Sequence, residues 1–421
     1  MKVLLVNPNR YKSPPVPPIG LEYLAASLEE KGHAAEFLDL CFSGDPCKDM
    51  DNAVESFSPD IAGVTVRNVD TVLYHTNEFF LDEIRGIVDH LKLRHGLQVI
   101  IGGTGIASNP AGILEYLNAD YAISGPAEKA IHEVLNRIRR DGTGDNIFTG
   151  NYPGGYCPRR RIRIDYKKYY DSGGIAGFET HKGCSSSCVY CLEANTKVSF
   201  KQADRVIEEI KSFVDIGYDH FHLCDSEFNE SLDYSTEFCT ALKNAGLGIR
   251  WVVYMKPANF SKTLFRLMKE TGVYLITLTV DSYKKCPVYW TDYEKFIFNA
   301  KACGIKVAVD FLTGFPHETG DNLREYFDVL RRPLPDSIGV NTYIRLYKSL
   351  QITNIIQNDT TLKGTLSDST HDTTLIKPVF YNHIDTEKLG ELIDGDPLFR
   401  IEGPEKGVNY GRIKPAIGIK D

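Results

Sequence analysis

The 421-residue chain is long enough for two or three domains, and its 42% hydrophobic and 25% charged residues are ordinary globular proportions. A net charge of −8 argues against nucleic acid as the main partner, because a phosphate backbone selects a basic face. No apolar run approaches the roughly 18 residues that a membrane-spanning helix needs. The short apolar start ended by Asn7-Pro8 reads as a buried strand rather than a signal peptide, so the expectation is a cytoplasmic protein with no membrane partner.

KVLLVNP, AAEFLDL, IAGVTVR, QVIIGGT and ADYAISG read as five short strands. Leu21, Leu24, Ala25 and Leu28 share one face of a helix that Gly32 stops. Further helices are expected over 73–95 and 127–140. This alternation predicts a doubly wound parallel sheet, whose ligands bind at the carboxyl ends of the strands. Those ends carry Asn7 and Pro8, Arg67 and Asn68, Gly102, Gly103 and Gly105, and Ser124 and Gly125.

A stretch dense in Gly, Pro and Asn follows at 141–161. The expected division is a first domain at 1–142, a linker at 143–174, a second domain at 175–348 and a small cap at 349–421. The basic run Arg159-Arg160-Arg161-Ile162-Arg163 reads as a solvated connector, with a phosphate or corrinoid-tail contact as the alternative. The second domain repeats strand and helix to give six strands and five helices. Its helices are expected near 202–216, 231–245, 261–270, 291–303 and 320–332. That pattern fits a partial (β/α)6 TIM-type barrel.

Ten cysteines in a reducing compartment point to metal or redox work for some of them. Cys184, Cys188 and Cys191 crowd into KGCSSSCVYC, with Tyr190 before the last. Structural zinc wants four ligands, and none stands at finger spacing, although His181 is near. Three thiolates in a loop after the first barrel strand suit a 4Fe–4S cluster with one iron open. Cys41, Cys47, Cys157, Cys224, Cys239, Cys286 and Cys303 are scattered and read as small core residues.

The C-x3-C-x2-C spacing with its aromatic resembles the signature of the radical S-adenosylmethionine superfamily. The resemblance implies that Cys184, Cys188 and Cys191 hold the cluster and that S-adenosylmethionine binds its open iron. Beside it would lie Tyr190, then Asp225, Ser226 and Glu227 of HLCDSEFN. Asp281 of LTVDS, a departure from the family's GxES, joins them. FLTGFPHET is similar to the GFPxET of the cobalamin-associated branch, where Gly314 would admit adenine or ribose.

PPIGLEYLAASLEEKGH and IIGGTGIASNP resemble the cobalamin-binding domain that precedes such barrels, so the likeness runs over residues 1–345. The family's GEGE reads Gly125-Pro126-Ala127-Glu128, which makes Glu128 a further candidate contact. The histidine of GGxHAS and the D-x-H-x-x-G motif are absent, and His33 follows a helix end. Cobalamin is therefore expected base-off with no histidine ligand, and Arg67 is expected to face the lower side of cobalt and disfavour water there. In the other reading Arg67 only pairs with Asp70.

The class resembled is the cobalamin-dependent (class B) radical S-adenosylmethionine methyltransferases. The implied activity is C-methylation, through methylcobalamin, of a small molecule or peptide, with electrons from a protein such as flavodoxin or ferredoxin. Most of that class also make a 5′-deoxyadenosyl radical. A minority methylates an electron-rich sp2 carbon without one, and the Arg67-Asn68 pattern points to that branch. Tyr254, Tyr343, Arg345 and His383 are candidate substrate contacts. The alternatives are cyclisation or ring contraction on the same scaffold, or a corrinoid-binding module with a structural cluster. A tRNA methylthiotransferase is disfavoured by the acidic charge.

Overall fold

The computed structural model describes residues 1–401 except 141, 143, 153–157, 284–286, 363, 367–373 and 385. The first sheet is parallel and six-stranded, in the order β2-β1-β3-β4-β5-β6. Its strands are β1 (Lys2–Asn7), β2 (Ala34–Asp39), β3 (Ile61–Thr65), β4 (Gln98–Gly102), β5 (Tyr121–Ser124) and β6 (Ile147–Thr149). The last comes from the stretch read as linker. Leu5 lies opposite Phe37, and Val6 opposite Val64.

Helices cover both faces. On one side α1 (Ile19–Glu30) packs through the expected face of Leu21, Leu24, Ala25 and Leu28 beside α5 (Ala127–Arg139). On the other lie α2 (Pro46–Phe57), α3 (Leu81–Asp89) and α4 (Pro110–Tyr116). The sequence reading missed α2 and α4, yet both carry local start signals. The Asp45 side chain accepts from Lys48 N at 3.1 Å and that of Asn109 from Gly112 N at 3.1 Å, each followed by a proline.

The helix expected over 73–95 begins only at Leu81, and α3 continues as a π-helical turn over His90–Arg94. Residues 70–79 fold back on themselves instead. Asp70 bridges Phe79, its carboxylate accepts from Val72 N at 2.7 Å, and Thr71 N donates to Glu78 O at 3.1 Å. Such Asp and Thr side chains give the backbone partners that compete with a helix.

The chain then passes α6 (Tyr166–Asp171) into a seven-stranded parallel sheet. Its strands are β7 (Ala176–Phe178), β10 (His220–Leu223), β11 (Arg250–Met255), β12 (Val273–Asp281), β13 (Lys306–Leu312), β14 (Ser337–Asn341) and β18 (Phe399–Ile401). The first six are the expected strands, paired in chain order, and β18 adds a seventh on β14. A hairpin of β8 (His181–Lys182) and β9 (Ser199–Phe200) follows β7. Helices α7 (Ala203–Val214), α8 (Leu232–Ala245), α9 (Lys262–Glu270), α10 (Pro287–Ala302) and α11 (Gly320–Arg331) cover the outside. The barrel core includes Trp251 ringed by Phe178, Phe228 and Phe238. Beyond it, β15 (Ile344–Arg345), β16 (Thr365–Leu366) and β17 (Phe380–Asn382) form a small antiparallel sheet beside α12 (Gln351–Asn358), and α13 (Thr386–Ile393) packs on α11 at the barrel.

The basic run is not a solvated connector throughout. Arg159 and Arg161 are exposed, but the Arg160 side chain is completely buried. It pairs with Glu22 of α1 at 2.7 Å and Glu209 of α7 at 2.6 Å, and so joins the two sheets' outer layers. Of the scattered cysteines, Cys41 and Cys239 are core and Cys303 is half-buried, whereas Cys47 and Cys224 are exposed. Cys157 and Cys286 lie outside the described residues. Among the described residues, no helix is long and apolar enough to cross a membrane.

Candidate cofactor and substrate site

The cysteine loop leaves β7 and is closed at its base by the β8–β9 hairpin. Gly183 sits at φ +87°, where a side chain would meet the Lys197 carbonyl at 2.2 Å, so the turn into Cys184 needs glycine. Cys184 N donates to Thr196 Oγ1 at 2.9 Å and Asn195 N to Ser186 O at 2.8 Å, which folds the loop on itself. Cys184 is buried, Cys188 half-buried and Cys191 exposed. Burial pushes the Cys184 thiol up, so it carries its proton until a metal displaces it. Three unbridged thiols in one hydrogen-bonded loop fit a cluster with three protein ligands.

The adjoining barrel ends converge on this loop. The Tyr190 hydroxyl donates to Asp281 Oδ2 at 2.9 Å, joining the loop to the end of β12. Ser226 donates to Glu193, a loop carboxylate that the sequence reading did not single out. Asp225 is a latch: it accepts from Thr180 N at 2.7 Å and lies 3.1 Å from His181 Nδ1. Glu318 of GFPHET is another, accepting from Thr313 Oγ1 at 2.6 Å and Phe315 N at 3.2 Å. Gly314 is required by the fold itself, since at φ +90° a side chain would meet the Thr342 carbonyl at 2.1 Å. Glu227 follows Ser226 on the same strand end.

At the carboxyl edge of the first sheet, Arg67 and Asn68 are exposed, and Thr104 Oγ1 donates to the Arg67 carbonyl at 2.6 Å. The Gly102–Gly105 turn packs against the end of β3: a side chain on Gly103 would lie 2.6 Å from Val66 O, and one on Gly105 2.9 Å. Asn7 is instead buried and donates to Asp39 at 2.8 Å, with Pro8 buried beside it. Ser124 and Gly125 lead into α5, where Glu128 Oε2 is buried and lacks a hydrogen-bond partner. An orphaned buried oxygen at this edge fits a polar ligand. Asp70, the partner of a purely structural Arg67, pairs with Arg345 at 2.8 Å. Arg67 instead faces the barrel: His222 of β10 is pushed down to about 4, first by burial and then by the Arg67 guanidinium.

A cavity of about 380 Å³ lies between these two edges, within the range of small-molecule sites. Tyr190, Tyr254, Tyr343 and Arg345 all line it. Val72 and Leu73 of the 70–79 loop reach it from the other side, and Asp310 and Arg400 are wall residues that the sequence reading missed. Asp310 could have been found as a lone charge inside an apolar strand. His383 is half-buried, within hydrogen-bond distance of the Tyr381 hydroxyl at 3.0 Å, and is not part of this lining.

The B12 binding domain model matches residues 13–135, and the Radical SAM superfamily model matches residues 178–330. Tryptophan 2-C-methyltransferase of Streptomyces laurentii is 23% identical over 77% of this chain and 69% of its own length. Cytidylyl-2-hydroxyethylphosphonate methyltransferase of Streptomyces wedmorensis is 22% identical over 76% and 74%. This chain belongs to the cobalamin-dependent radical S-adenosylmethionine methyltransferases.

Its fold is that of TsrM from Kitasatospora setae, a radical S-adenosylmethionine methyltransferase solved with tryptophan substrate and an S-adenosylmethionine analogue. The TM-score is 0.85 at 23% identity over 96% of this chain and 91% of the other. A second TsrM structure, with cobalamin and a [4Fe-4S] cluster bound, gives 0.81. The cofactors of this methyltransferase are accordingly a 4Fe–4S cluster, S-adenosylmethionine and cobalamin.

Proposed function

We propose that this methyltransferase adds a methyl group to a carbon of an aromatic small molecule of amino-acid size, held in the cavity between the two sheets. The carrying observation is that the cavity's walls come from both halves, with Val72 and Leu73 on one side and Tyr190, Tyr254 and Tyr343 on the other. A substrate there touches both the cysteine loop and the loop that follows Arg67. Three tyrosines favour a flat ring, while Asp310 and Arg400 offer both signs of charge for an amine and a carboxylate.

In this reading the first sheet, with β6 included, binds the corrinoid, the chain from there to β7 connects, the barrel with β18 included holds the cluster and S-adenosylmethionine, and the cap expected over 349–421 is reduced to α12 beside the small antiparallel sheet. Cys184, Cys188 and Cys191 hold the cluster. Tyr190, Ser226, Glu227, Asp281 and the Gly314 turn shape the S-adenosylmethionine site. Arg67, Asn68, the Gly102–Gly105 turn, Ser124, Gly125 and Glu128 line the corrinoid. S-adenosylmethionine supplies the methyl group and cobalamin carries it. Arg67 would present a cation toward a corrinoid bound at this edge, which favours the branch that methylates an sp2 carbon. Reduction falls to a flavodoxin- or ferredoxin-type protein.

The test is anaerobic turnover of the fully loaded enzyme with methyl-labelled S-adenosylmethionine and tryptophan, then other aromatic amino acids. Label in a carbon-bound methyl of the product is expected, with no 5′-deoxyadenosine. A rearranged product without label would mean non-methylating chemistry, and 5′-deoxyadenosine formed with product would place the enzyme in the radical branch.

A further inference from the structure

Away from the cofactors, Asp51 of α2 stands against His90 and His95 at the end of α3. His95 lies just before β4 begins, so the cluster is at the amino edge of the first sheet, opposite Arg67 and the glycine turn. In an α-helix, residues five apart point about 140° away from one another. The π-helical turn over His90–Arg94 closes i→i+5 bonds and brings His90 and His95 to one side, with ring centroids 5.4 Å apart.

Both imidazoles present Nε2 to the same carboxylate oxygen, at 2.8 Å for His90 and 2.7 Å for His95. Arg94 Nε reaches that oxygen too, at 2.9 Å. Three donors exceed the two lone pairs of one carboxylate oxygen. The side chains of Asp51, His90 and His95 are 23%, 16% and 13% exposed, whereas that of Arg94 is 62% exposed. The histidines are thus held in place and the guanidinium can swing into solvent.

We propose that Asp51, His90 and His95 form a binding site for a divalent transition-metal ion, with zinc as its best-suited occupant. The three ligand atoms lie within 4.8 Å of one another. Tetrahedral zinc, with bonds of about 2.0–2.1 Å, sets its ligands roughly 3.3 Å apart. Opening the two short contacts by about half an ångström reaches that spacing. Two imidazoles and one carboxylate suit zinc, copper or nickel rather than magnesium or calcium. Binding replaces two N–H···O hydrogen bonds by metal–nitrogen bonds: each Nε2 gives up its proton, which passes to Nδ1 of a neutral ring or to solvent from a doubly protonated one, and turns the freed lone pair to the ion. Water takes the fourth position. The ion ties α2 to the π turn, and the proposal is independent of the substrate assigned above.

The experiment is equilibrium dialysis of the enzyme, loaded with cluster and cobalamin, against buffered zinc, with zinc and iron counted by mass spectrometry. Wild type is expected to bind one zinc per chain with its iron unchanged, which separates this site from the cysteines. Asp51→Asn and His90→Ala/His95→Ala are expected to weaken binding by at least about tenfold. Arg94→Ala removes a competing exposed cation and is expected to tighten it. No zinc on wild type overturns the proposal, as does equal binding by both ligand variants. If the double variant fails to fold, Asp51→Asn and Arg94→Ala decide: unchanged affinity in the first, or weaker binding in the second, overturns it.

Discussion

Arg160 and Arg345 are both buried cations that join the two halves of the molecule, and they are held in different ways. Arg160 spends its donors on two carboxylates, Glu22 and Glu209, together with the Gly177 carbonyl at 2.7 Å and the Tyr166 hydroxyl at 2.6 Å. The Tyr23 hydroxyl adds a bond to Glu209 at 2.7 Å, and Lys201 lies 3.5 Å over the Tyr23 ring while pairing with Glu179. Arg345 meets one carboxylate, Asp70, and gives its other donors to the carbonyls of Leu346, Leu375 and Ile376. The first contact is saturated and closed to ligand. The second stands in the cavity wall and anchors the 70–79 loop. One fixes the angle between the sheets, and the other borders the space that a substrate must enter.

The largest effect is expected from Arg160→Met, which leaves Glu22 and Glu209 buried without their cation. Removing one partner of a buried pair costs about 3–5 kcal/mol. A denaturant titration should show that loss, and adding Glu22→Gln and Glu209→Gln should recover part of it. A loss under about 1 kcal/mol would mean that the Arg160 contact is no stronger than a surface pair and that the contrast with Arg345 fails.

Acid should weaken the neighbouring Lys201–Glu179 pair, which joins the Arg160 contact through the Tyr23 ring. Burial opposes ionisation of Glu179, but the ammonium groups of Lys182 and Lys201 hold its carboxyl down at about 2. A depressed carboxylate contributes stability above its unfolded value, near 4.3. That contribution, up to about 3 kcal/mol, disappears as pH falls from there toward 2. Stability measured from pH 6 to 2.5 should therefore fall less in Glu179→Gln than in wild type. Parallel curves would remove Glu179 from the network.

Arg345→Met should cost less, about 3 kcal/mol, the lower end for breaking a buried pair. Asp70 keeps Val72 N as a donor, and one carboxylate loses its cation where Arg160→Met strands two. The distinguishing readout is substrate: KM should rise with Arg345→Met as the 70–79 loop loosens, while Arg160→Met leaves KM nearer wild type at temperatures where it stays folded.

What the sequence revealed follows from the range of the interactions. KGCSSSCVYC puts its thiols in one loop by spacing alone, and six barrel strands appear because short, mainly apolar segments recur between helical stretches. Neither needs knowledge of distant residues. Arg160 lies in a run of arginines identical in chemistry, and which one turns inward depends on Glu22 and Glu209, far away in the chain. Glu318 belongs to the GFPHET motif, but its role as a latch on the Thr313–Phe315 turn emerges only from hydrogen bonds. Strand β18 follows an aperiodic stretch, so Arg400 could not be set beside Asp310. The 70–79 loop was hidden by residues that suit a helix at either end and by a turn chemistry in the middle.

The smallest effect belongs to that loop. Tyr74 stacks on Tyr343 with ring centroids 3.8 Å apart and planes 11° from parallel, and His75 meets Tyr343 edge-on. Aromatic pairs contribute about 0.5–1.5 kcal/mol beyond burial, and Tyr74 is 38% exposed, which puts this pair near the lower end. Tyr74→Ala should leave the melting temperature almost unchanged, because neither sheet depends on it. It should raise KM by about two- to fivefold with kcat retained, since a loop that rests less often on Tyr343 weakens ground-state and transition-state binding alike. Tyr74→Phe keeps the stacking ring and should behave as wild type. A kcat loss with Tyr74→Ala at unchanged KM would instead make the loop part of the transition-state machinery, and the open contact would then be as exacting as the closed one.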